Sequence, residues 1–121
     1  MLHDSKAFSG FSVDDIEKAK AFYADTLGID VGEENGMLHL KVAGSTAILV
    51  YPKPNHVPAE FTVLNFPVAD IEATARELAG RGVTFEHYNS EQDETGIYRG
   101  QGPLIAWFKD PAGNVLSIIQ E

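Results

Sequence analysis

"FSVDDIEKAKAF" (residues 11–22) and "FPVADIEATARE" (residues 66–77) are two versions of one pattern. Set 55 residues apart, they share Phe11/Phe66, Val13/Val68, Asp15/Asp70, Ile16/Ile71 and Glu17/Glu72. In each, a short strand-like stretch gives way to apolar residues at helical spacing. These are Ile16, Ala19, Phe22 and Tyr23 in the first, and Ile71, Thr74, Ala75 and Leu78 in the second. Asp14 and Glu17 have the spacing of a capping-box-like start, with carboxylates beside the positive end of the helix dipole. Asp15 and Asp70, recurring at the same place, read as structural groups at helix starts. "TLGIDV" and "GRGVTF" then end each helix at a glycine and enter a strand. A period near 55 that occurs only twice marks a duplication, not a solenoid.

Outward from these segments, alternation predicts strands at Ile29–Glu33, Met37–Val42 and Thr46–Tyr51 in the first half. The second half should carry Thr84–Tyr88, Leu104–Lys109 and Val115–Gln120, with "DPAGN" as a tight reversal before the last. "YPKPNHVPAE" is too rich in proline to extend a strand and reads as a linker. The polar, glycine-bearing stretch 89–103 reads as a mobile segment, either lid or slack. The order is strand, helix, strand, strand, strand, twice over. It fits a single domain, residues 1–121, with one module at about 6–52, a linker at about 53–60 and a second module at about 61–121.

Composition narrows the function. The chain has no cysteine, which excludes disulfides, thiolate catalysis and cysteine-based zinc sites. Nine Lys and Arg against eighteen Asp and Glu give a net charge of −9, and phosphate binding needs the basic face that this balance cannot easily supply. Nucleic acid is therefore not an expected partner; the acidity aids solubility or draws in a cationic small molecule. No secretory pattern opens the sequence, and no apolar run approaches the roughly 18 residues that cross a bilayer. The expectation is a soluble, cytoplasmic protein with no membrane partner.

With this order of elements, the chain resembles the vicinal oxygen chelate superfamily, which gathers glyoxalase I, bleomycin-resistance proteins, fosfomycin-resistance enzymes and extradiol dioxygenases. The resemblance runs from Phe8 to Gln120 and is most specific in "FSVDDIEKAKAFYADTLGI" and "WFKDPAGNVLSIIQE". It implies an α+β fold of two βαβββ modules, half-barrels around a cavity, and a homodimer whose pockets often draw on both chains. Enzymes of the superfamily hold a divalent metal with His and Glu side chains from four strands. Aligned on the shared motif, those positions are Phe8, Leu49, Val63 and Ser117. A one-residue slip would substitute Ile48 or Val50, which is no better. Phe, Leu and Val cannot ligate a metal, and a serine hydroxyl is a weak neutral ligand. The resemblance thus implies a metal-free, cofactor-free binder of a small organic compound, with a cationic or aromatic one as the expected ligand. The alternative is an isomerase, lyase or dioxygenase with a non-standard metal site. A structural or regulatory dimer with a filled core is the third reading.

The expected binding residues follow from strand alternation. Phe8 and Ser12 would share one face of the first strand, and Val63 and Asn65 that of its counterpart. Leu49 and Tyr51 would come from the fourth strand, and Trp107, Ser117 and Ile119 from the final hairpin. Trp107 and Tyr51 could stack on a planar or cationic group while Ser12, Asn65 and Ser117 orient it. His3, His39, His56 and His87 are scattered, and alternation against Leu38 and Leu40 turns His39 outward. Ser117 lies in no nucleophile elbow, and "GIYRGQGP" lacks phosphate-loop spacing. No catalytic residue is expected.

Overall fold

The structure is a computed structural model that describes every residue from Met1 to Glu121. The chain divides into two units, Met1–Val57 and Pro58–Glu121. In the first unit, β1 (Gly10–Val13) leads to α1 (Ile16–Ala21) and then to β2 (Asp30–Glu34), β3 (Met37–Lys41) and β4 (Ile48–Pro52). These strands form a sheet in the order β1-β4-β3-β2, with β1 and β4 parallel. Asp15 caps α1, its carboxylate accepting the backbone N–H groups of Glu17 and Lys18 at 3.1 Å each. The cap is thus one residue later than the expected Asp14.

A single helix was expected to run through Tyr23. Instead the chain widens into a π-helical turn, Phe22–Thr26, in which Leu27 N–H donates to the Phe22 carbonyl at 2.9 Å. Ile29 N–H closes the end on the Tyr23 carbonyl at 3.0 Å, with Gly28 at φ 70° supplying the left-handed residue. The turn holds Phe22 and Tyr23 edge to face at 5.2 Å, and Tyr23 is fully buried. Val13, Ala19, Leu38, Leu40, Ile48 and Val50 complete this core, so one face of β1, β3 and β4 is buried.

The second unit holds β5 (Thr62–Pro67), α2 (Ile71–Gly80), β6 (Leu104–Lys109) and β7 (Val115–Gln120), in sheet order β5-β7-β6. Asp70 caps α2 by accepting from Ala73 N–H at 3.1 Å, and Gln120 at the end of β7 accepts from Ile71 N–H at 2.9 Å. Ile71, Ala75 and Leu78 from the helix are buried along with Ala106, Phe108, Leu116 and Ile118 from the sheet. The β6–β7 reversal is tied by Asp110, which is buried. Its carboxylate accepts from Ala112 N–H at 3.0 Å, Asn114 N–H at 2.9 Å and the Asn114 side-chain amide at 3.0 Å. The architecture is α+β, with two small sheets and few helices, as the resemblance implies. No helix is long and apolar enough to cross a membrane.

Two expectations in the second unit need correction. Thr84–Tyr88 is not a strand: its only ladder contact is a bridge between Phe85 and Phe108, with Glu86 N–H on the Trp107 carbonyl at 2.8 Å. The backbone N–H that would continue the ladder, that of Tyr88, donates instead to the Gln92 side-chain carbonyl at 2.5 Å, which also accepts from Asn89 N–H at 3.1 Å. A side chain has captured a donor that a strand would have used. The stretch 89–103 is correspondingly organised. Gln92 Nε2 donates to the carbonyls of Glu86 at 2.8 Å and Gly96 at 2.7 Å. Asp93 accepts from the N–H groups of Thr95, Gly96 and Ile97 at 2.9–3.0 Å, and its second oxygen accepts from Arg99 Nε at 2.8 Å. Arg99 also reaches Glu72 on α2 at 2.8 Å, and Tyr98 N–H donates to the Ile105 carbonyl on β6 at 2.7 Å. Ile97 is buried beneath these bonds.

Candidate ligand-binding site

Strand register lets the two units be compared residue by residue. In the first, Gly10 pairs with Leu49 and Leu49 with His39. In the second, Asn65 pairs with Ser117 and Ser117 with Trp107. The 55-residue offset matches Gly10 to Asn65, and the strand pairing then matches Leu49 to Ser117 and His39 to Trp107. Both rows lie on the sheet face opposite the one that carries Leu38, Val50, Leu116 and Ile118, which are core residues.

The row of the second unit has a defined geometry. Ser117 is fully buried between its two partners, and its hydroxyl donates to Asn65 Oδ1 at 2.5 Å, while Asn65 itself is exposed. Trp107, the chain's only tryptophan, is half-buried. Tyr88 meets it at a centroid distance of 5.5 Å and 66°, and Tyr98 at 6.3 Å and 56°. Such tilted arrangements are the favoured packing of aromatic rings. Burial, and next the nearby charge of Glu86, push the Tyr88 hydroxyl above its ordinary pKa, so it is neutral at physiological pH. Ile119 lies half-buried one row further along β7, paired with Pro67 and Ile105.

The remaining expected residues are placed less tightly. Phe8 precedes β1 and is 63% exposed. Val63 falls at an irregularity between Thr62 and Leu64 where the β5–β7 register shifts. Ser12 pairs with Tyr51 across β1 and β4, next to the Gly10–Leu49 pair. The Ser12 hydroxyl and His56 Nδ1 share a hydrogen bond of 2.6 Å that joins the middle of β1 to the proline-bearing stretch after β4.

The divalent metal implied by the superfamily's enzymes does not fit this donor set. Of the four aligned positions, three are Phe8, Leu49 and Val63, and the fourth, Ser117, has its hydroxyl committed to Asn65. Nowhere in the chain do three or more His, Asp or Glu side chains converge in a way that could hold an ion. His3 and His87 are exposed.

His39 requires correction. It is half-buried, shares a face with Leu49, and lines a depression of about 310 Å³ with Gly32, Glu33, Glu34, Lys41 and Ala47. Alternation was read correctly, but the face opposite Leu38 and Leu40 is the face of Leu49. Tyr88, Tyr98 and His56 were missed as neighbours of expected site residues. Nothing in the sequence marks them, because each reaches its partner through a loop that side-chain bonds shape.

A strand–helix–strand unit that occurs twice, each time with its first strand parallel to its last, defines a class, and comparison agrees. Residues 8–118 match the family model described as the Glyoxalase/Bleomycin resistance protein/Dioxygenase superfamily, and the chain belongs to that superfamily. No curated protein sequence matches it significantly. Among solved structures it is similar to TnmS3, an antibiotic-binding protein from Streptomyces sp. CB03234, with 27% identity over 94% of each chain and a TM-score of 0.68. A glyoxalase family protein from Enterococcus faecalis shares 22% identity over 98% of this chain and 99% of its own, with a TM-score of 0.72. An integron cassette protein, HFX_CASS4, from the Halifax Harbour sewage-outfall metagenome shares 21% over 94% and 96%, with a TM-score of 0.71.

Proposed function

We propose that this chain is a small-molecule binding protein that sequesters a planar organic compound against Trp107 without a metal. The observation that carries the reading is the half-buried Trp107, flanked by Tyr88 and Tyr98 and set in one row with Ser117 and Asn65. A tryptophan spent only on core packing would not need two tyrosines and a buried serine bonded to an exposed amide beside it. Aromatic surface with a few polar points that orient a guest is the usual make-up of small-molecule sites. The likeness to an antibiotic-binding protein supports the same class of ligand. Val63 and Ile119 belong to this proposal as further wall residues, Phe8, Ser12, Leu49 and Tyr51 as the binding residues of the first unit considered by itself, and a cytoplasmic homodimer as the working state.

The chemistry of the aligned positions favours binding over metal-assisted catalysis. Titration of Trp107 fluorescence and melting temperature with planar compounds tests the reading, alongside elemental analysis of the purified protein. Saturable quenching with stabilisation, indifferent to chelator, is expected. A near-stoichiometric divalent metal whose removal abolishes binding or an activity would overturn it.

A further inference from the structure

We infer that the aromatic surface around Trp107 selects organic cations over neutral molecules of the same shape, a refinement that rests on the reading just given. The rings of Tyr88 and Tyr98 are inclined to Trp107 by 66° and 56°, so the three form a tilted wall, not a flat stack. Aromatic faces attract cations through their negative quadrupole, Trp most strongly.

Two carboxylates reinforce that preference. Glu86 lies near enough to Tyr88 to act on the tyrosine's ionisation. The Glu91 carboxylate and the Tyr98 hydroxyl meet beside Gly100, where an added Cβ would collide with both. Between residues 86 and 99, Glu86, Glu91, Asp93 and Glu94 stand against Arg99 alone. Arg99 is already held by Asp93 and Glu72, each at 2.8 Å. The other cation nearby is Lys109, 3.7 Å from Glu86, an exposed contact that screens part of one carboxylate.

The wall is also built in advance. Gln92 and Asp93 fix the backbone on either side of the tyrosines, so a ligand need not order the loop when it binds. No aromatic residue lines the depression around His39 at the corresponding place in the first unit, where Glu33 and Glu34 stand beside Lys41.

The test compares N-methylacridinium with acridine at about pH 8, where acridine is uncharged and the two rings match in size. Affinities are read by calorimetry and by Trp107 quenching on the full chain. The cation should bind at least tenfold more tightly and lose affinity as salt rises. Glu86→Gln with Glu91→Gln should remove most of that preference, read as the ratio of the two dyes' affinities. Equal affinity of the two dyes for the unaltered protein would overturn the cation inference and leave the Trp107 site standing. Failure of both dyes, and of neutral planar compounds generally, would overturn the site and the inference together.

Discussion

The two halves of this chain begin alike and end differently. Each opens with a strand, an aspartate cap and a helix, and each pairs its first strand in parallel with its last. In the first unit four regular strands complete the sheet. In the second, the fourth position is occupied by single bridges at Phe85 and Tyr98, and by a loop that Gln92 and Asp93 hold in place. The corresponding hairpins diverge as well. Residues 42–47 turn on the surface with one long backbone bond of 3.4 Å, whereas 110–114 close around a buried carboxylate. Duplication supplies a scaffold twice; where one copy gives up strand regularity, side chains take over the backbone's hydrogen bonding and gain freedom to present aromatic rings.

The largest test of this contrast lies in the hairpins. Asp110→Ala leaves two backbone donors and the Asn114 amide without their acceptor in a buried turn, and should lower stability by about 3 kcal/mol. Ser45→Ala in the exposed first-unit turn should change it by less than about 0.5 kcal/mol. Chemical denaturation measures both, and comparable losses would erase the asymmetry.

Trp107→Ala should abolish dye binding, with at most about 3 kcal/mol lost because the ring is only half-buried. His39→Ala, at the matching position, should leave binding within about twofold. Binding is read on variants whose circular dichroism shows them folded. Equal effects would mean that the two rows contribute alike.

Gln92→Ala removes four hydrogen bonds from the loop. It should cost about 1–2 kcal/mol of stability and accelerate amide exchange at Tyr88 and Asn89. Unchanged exchange there would show that the loop holds itself without this side chain.

The smallest effect is expected from acid. Burial tends to raise the Asp93 carboxyl, but the Arg99 hydrogen bond, the Ile97 and Gly96 N–H groups and the Arg99 charge outweigh it and leave the pKa lowered. A carboxyl depressed in the folded state stabilises above its unfolded pKa of about 4, and that contribution disappears as pH falls through the lower folded value. Loop amides near Asp93 should therefore lose protection below about pH 4, and Asp93→Asn should flatten that dependence. Hydrogen exchange at two pH values decides it.

Much of the fold was legible because duplication doubles every signal: Asp15 and Asp70 mark two helix starts, the repeated motif marks the strand that opens each unit, and alternation placed the other five observed strands. The strand at Thr84–Tyr88 was misread because its alternation is genuine; Gln92, distant in pattern though close in sequence, diverts one of its donors. The π-helical turn was invisible, since Phe22 and Tyr23 satisfy an ordinary helical spacing too. Of the candidate site, Asn65, Ser117 and Trp107 could be placed on one face by alternation alone. Tyr98 could not, because periodicity has no hold on a turn fixed by Asp93 and Arg99.

The central strand β7 is the last of its sheet to be synthesised, and it is the one strand that both β5 and β6 pair with. On the ribosome, the first unit can assemble while the second still lacks its spine. A stall or proteolytic cut before Val115 would free two unpaired strand edges at once, a state that quality-control chaperones would have to intercept.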